Sequence, residues 1–178
     1  MRQFTVIILI SACFAGFALA GCGSSSASSS AGGGTVATST SGTTHFAKTK
    51  FLLHAGLAFG AFHRYIYKPF RAGVFSHPLL HKLSLAKAGL AAVFIAHELK
   101  IAAVDVRSSK LLSRLFSPLT AAADKLSALR SAITGGSVSA ADLGGVQSQL
   151  SSIGKTAASH GQAIRDVVPS AGQLASGG

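Results

Sequence analysis

Acidic side chains are scarce in this chain: five Asp and Glu stand against 16 Lys and Arg, a formal net charge of +11 over 178 residues. Five scattered carboxylates do not furnish an acid/base pair. Neither a nucleophile-elbow glycine pattern nor a phosphate-binding glycine loop is present, so the chain is read as a non-enzyme. Cysteine occurs only at positions 13 and 22, which leaves the rest of the chain without a thiol for a disulfide or a thiolate metal site. Proline occurs four times, at 69, 78, 118 and 169, and each position marks a break between long proline-free stretches. No stretch has the strict alternation of a strand. The most apolar part of the body of the chain, Phe51 to Phe62, is interrupted by His54 and falls short of the roughly 20 residues a spanning helix needs.

What is present begins with an apolar run from Phe4 to Phe17 behind one positive charge, Arg2, followed by small residues. This is the layout of an export signal. The run closes on Leu19-Ala20-Gly21-Cys22, a motif that resembles the lipobox of bacterial lipoproteins at all four positions. The resemblance covers residues 1–22 only. It implies removal of residues 1–21, acylation of Cys22, and a protein held at the outer side of a bacterial cell membrane. Two or three acyl chains make such anchoring stable, at about 0.8 kcal/mol per buried methylene. The alternative is an apolar N-terminus kept as an uncleaved anchor.

Residues 23–44 contain only Gly, Ser, Ala, Thr and one Val. With Cys22 they are expected to form a flexible tether, with a mean reach of roughly 26 Å. Residues 45–168 read as one all-α domain, a single bundle of about four helices in two antiparallel hairpins, and 169–178 as a disordered tail. Helix one runs from Phe46 to Lys68, apolar around much of its circumference and ended by Pro69. Helix two is placed from Pro78 to Val106. Gly56 and Gly60 on the first, and Ala88, Ala92 and Ala96 on the second, let two backbones approach. An antiparallel register sets position 60 opposite 88 and 56 opposite 92. Helix three starts at Ser117, with Pro118 at its first position. Leu112, Leu115, Leu119, Ala122, Leu126, Leu129 and Ile133 step by three and four until Gly135-Gly136. Helix four restarts at Ser139 and Asp142 and carries Leu143, Val146, Leu150, Ile153, Ala157, His160, Ile164 and Val167 as far as Pro169.

Charge is unevenly divided. Residues 45–114 hold 11 basic side chains and only Glu98 and Asp105 as acids, while residues 115–178 hold four basic and three acidic. In an exported protein that balance points to anionic lipids, wall polymers or an envelope protein, and away from nucleic acid. The densest cluster alternates cations and aromatics at the end of helix one: Arg64, Tyr65, Tyr67, Lys68 and Arg71. These residues suit an anionic surface through charge-assisted bonds and ring contacts. The competing reading keeps Tyr65 in the core and leaves the cations solvated at a helix C-terminus. Six of seven histidines fall between 45 and 97. His77 and His81, four apart, and His54 with His97, at similar heights in the hairpin, are the candidates for a metal or haem site. Against it, no carboxylate adjoins the 77/81 pair, and a nine-residue spacing turns His45, His54 and His63 to alternate faces.

Overall fold

The computed structural model describes residues 40–177. The signal segment, Cys22 and the tether up to residue 39 lie outside the described residues. Those described form a helical bundle: α1 (Thr40–Ala61), a π-helical turn (Phe62–Tyr67), α2 (Lys68–Arg71), α3 (Lys82–Arg107), α4 (Phe116–Gly135), α5 (Ala140–Ser159) and the short α6 (Ala171–Ser176), with no strand among them. The all-α class and the four long helices agree with the periodicity of the sequence.

Pro69 does not end helix one. Proline has no N–H to give to the carbonyl four residues back, and its ring crowds that carbonyl. The chain accommodates this by widening into the π turn, where Lys68 N–H bonds the carbonyl of His63, five residues back. The helix then continues as α2 to Arg71. It also begins earlier than expected, at Thr40, and takes Thr40–Thr44 from the tether. The π turn buries Phe62 and Ile66 and leaves Arg64 exposed.

α3 is the central helix and packs against both α1 and α4. Its start differs from the expectation, since residues 77–81 are a turn and the helix begins only at Lys82. α4 begins at Phe116, one residue before the expected cap, and Ser117 does not cap it. Pro118 sits within the first turn, where a missing N–H costs nothing. Gly136, at φ 70, ends α4. Ser137 N–H bonds Ala132 O at 2.9 Å and Gly136 N–H bonds Ile133 O at 3.2 Å, the two bonds of a Schellman stop. Ser139 then accepts from Asp142 N–H at 3.1 Å to start α5. The heptad positions from Leu112 to Ala157 are buried, apart from Leu129 at the margin, and they meet Phe51, Phe62, Phe94 and Leu99 in one core.

The end of the chain departs most from the sequence reading. α5 stops at Ser159, because Gly161 at φ 74 closes a second Schellman stop: Gly161 N–H bonds Ala158 O and Gln162 N–H bonds Ala157 O, both at 2.9 Å. Residues 162–169 run on as an extended strap across α1. Gly56 and Gly60 therefore do not meet the alanines of α3. A Cβ on Gly56 would stand 2.6 Å from Arg165 O, and one on Gly60 would collide with the Val167 backbone. The close approach is sealed by Val167 N–H donating to Gly56 O at 2.9 Å. Residues 169–178, expected to be disordered, contain α6, started by a capping box between Ser170 and Gln173 and packed on α3 with Leu174 buried.

Candidate anion-binding surface and the histidine pairs

The five residues expected to contact anions divide into three groups. Arg64 and Tyr65, both on the π turn, line a cleft of about 200 Å³ together with Pro69, Ser84 and Lys87. Lys68 and Arg71 are exposed on α2, where the partial negative charge of a helix C-terminus favours cations. Tyr67 turns away to stack on Phe62, with ring centroids 6.0 Å apart, and to meet His63 edge-on. Tyr65 offers its ring to the cleft but not its hydroxyl, which donates to Pro169 O at 2.8 Å and so pins the strap. Lys87 and Ser84 were not among the expected contacts. The register that sets 60 opposite 88 also sets 64 opposite 84, so they could have been found from it. A guanidinium, an ammonium and a hydroxyl converging on one cleft can hold an oxyanion by charge-assisted bonds. A second basic groove, about 320 Å³, lies between α3 and α4 and is lined by Val93, Ala96, His97, Lys100, Ser127 and Arg130. There Lys100 also faces Asp124 at 3.7 Å.

Two of the histidines, His54 and His63, take partners from other segments. His54 Nδ1 meets Glu98 Oε2 at 2.6 Å, with the carboxylate 3% exposed and the ring 22%. The expected pairing of His54 with His97 does not form, because His97 lies exposed in the α3–α4 groove. Asp105, two turns along α3 from Glu98, has a buried oxygen with no hydrogen-bond partner among the described residues. Burial pushes its carboxyl above the usual carboxylate range, against the opposing pull of His54 and Lys50. His63 bridges three elements: its Nδ1 meets Asp166 Oδ2 of the strap at 2.5 Å and its Nε2 lies 3.1 Å from Gln147 Oε1 of α5. His77 and His81 do not share a helical turn, since α3 begins after both. Among the described residues no group of three or more His, Cys, Asp or Glu is placed to hold a metal ion, and no helix is long and apolar enough to cross a membrane. Comparison with protein-family models, with curated proteins and with solved structures finds no match for this chain.

Proposed function

We propose that the mature protein is anchored through acylated Cys22 at the outer side of a bacterial cell membrane. Its α1–α3 hairpin binds phosphate- or carboxylate-bearing material of the envelope, as a binding or structural component and not as an enzyme. The observation that carries this reading is the convergence of Arg64, Ser84 and Lys87 on one cleft, beside exposed Lys68 and Arg71, in a segment with no carboxylate from Thr40 to His97. Among the described residues the ion pairs take in His54, His63 and Lys100 and leave out Arg64, Lys68, Arg71 and Lys87, so the favourable partner of these four cations is an external anion.

A form starting after Cys22 tests the hairpin free of its anchor. Replacing Arg64, Lys68, Arg71 and Lys87 by Gln is expected to weaken sedimentation with anionic vesicles or wall polymer by at least about tenfold, since each cation near an anionic surface contributes about 1 kcal/mol. The salt dependence should flatten with it. Binding that survives all four substitutions removes the reading.

A further inference from the structure

The turn before α3 and the first turn of α3 carry the least covered apolar side chains of the described residues. Leu79 and Leu80, in the turn, are each 80% exposed and Leu83, on α3, is 70% exposed. Single surface leucines need no account, but three within five residues do. The backbone holds them outward. Gly73 makes the turn at φ 75, and Phe75 is buried beneath it, edge-on to Phe70 at 5.8 Å. Leu80 N–H bonds His77 O at 3.1 Å and Leu85 N–H bonds His81 O at 3.0 Å. From the other side Gly136 abuts Pro78, leaving only 3.0 Å between the proline ring and any added Cβ. The leucines therefore cannot fold back into the core without breaking this turn.

The chain on either side of them is basic. Arg71, Lys82 and Lys87 are exposed, Lys82 lines a groove with Pro78 and Leu79, and the nearest acid along this part of the chain is Glu98, buried against His54. The α4–α5 connection, which touches the turn at Pro78, carries no carboxylate of its own; Asp142, in the first turn of α5, accepts from Ser139 Oγ at 2.6 Å.

We propose that this turn is a membrane-contact element: Leu79, Leu80 and Leu83 enter the boundary between headgroups and acyl chains while Arg71, Lys82 and Lys87 pair with anionic phospholipid headgroups. It rests on the anion-binding reading above and chooses lipid within it. A wall polymer supplies anions but no apolar layer for three leucines, and a protein pocket would take the leucines without accounting for flanking charge of one sign. A bilayer of anionic lipid offers both.

The chain has no tryptophan, so Leu79→Trp in the full chain gives a single emission signal. On vesicles containing phosphatidylglycerol the emission is expected to shift to shorter wavelength and to be quenched by lipids brominated on the upper acyl carbons. Both effects should be lost on phosphatidylcholine alone. They should also be lost when Leu80→Asp and Leu83→Asp are added, with the helical circular dichroism unchanged. Water-like, unquenched emission on the anionic vesicles overturns the proposal, and is also what an apolar protein partner in place of lipid would give. Equal quenching on phosphatidylcholine overturns the assignment to anionic lipid. If the reporter stays wet while salt-sensitive binding through Arg64, Lys68 and Arg71 persists, the wedge alone fails. If that binding is missing too, the anion-binding reading fails with it.

Discussion

Two faces of α1 are gripped by unlike means. α3 holds it through the apolar packing of Phe51, Ala55 and Phe62 and through His54 with the buried Glu98 carboxylate. The strap holds it through backbone laid on two glycines, one amide-to-carbonyl bond, and His63 with Asp166, whose side chains are 31% and 45% exposed. A charge kept from water depends on its partner, because nothing else can solvate it. Where both partners stay wet, water takes over when one is removed. The strap packs Ile164 against the core but leaves Val167 and Val168 41% and 55% exposed, fewer buried apolar contacts than α3 makes, so it is expected to open before α3 does.

The largest expected effect tests that contrast directly. His54→Ala leaves Glu98 buried and unpaired, and should lower unfolding free energy by about 3 to 5 kcal/mol. Asp166→Ala, on the exposed pair, should cost no more than about 1 kcal/mol. Denaturant titrations that gave equal losses for the two would erase the distinction between the faces. Next in size is Gly60→Ala, whose Cβ collides with the Val167 backbone and should cost about 1 to 3 kcal/mol by displacing the strap. Hydrogen exchange localises this cost: the Val167 amide should lose protection while those of α3 keep theirs. A Val167 amide that stays protected would show the strap seated some other way.

The smallest effect sharpens the α1–α3 side and has the opposite sign. Burial raises the Asp105 carboxyl above its ordinary value, so its folded-state pKa exceeds its unfolded one. The folded state then favours the proton, and the charged form is a penalty that is absent below the unfolded pKa and grows as pH rises through the folded value. Asp105→Asn should therefore raise the melting temperature near neutral pH, with a gain of no more than about 1 kcal/mol because the side chain is only partly enclosed. Below about pH 3.5 the gain should vanish, as the carboxyl is protonated in both states. Destabilisation near neutral pH would mean that attraction to His54 and Lys50 outweighs burial.

The two halves of the chain were not equally legible. α4 and α5 could be read almost residue by residue, because a three-and-four apolar step and Gly or Ser at the ends are local signals. The same step misled beyond α5, since Ile164 and Val167 keep the heptad spacing while lying on extended chain. The stop was present in the sequence as Gly161, a lone glycine that the unbroken apolar count overrode. Pro69 misled in the other direction: it reads as a terminator, and a π turn can absorb it only where buried Phe62 and Ile66 hold the widened helix in place. In the candidate anion-binding surface Arg64 and Tyr65 were legible as a cation beside an aromatic. Ser84 and Lys87 needed the hairpin register, and the commitment of the Tyr65 hydroxyl to Pro169 needed a strap that no local pattern announces.

By itself the sequence determined the helical class, the stop at Gly136 and the restart at Ser139, the basic first hairpin and the presence of glycines made for close approach. Each of these follows from side-chain chemistry over a few neighbouring residues. Tertiary structure alone decided which backbone lies on Gly56 and Gly60, which carboxylates His54 and His63 meet, and that Leu79, Leu80 and Leu83 at the start of α3 are left in the open. Those outcomes depend on which distant segments compete for the same face. That competition is settled by burial and steric fit across the whole bundle, which local spacing does not encode.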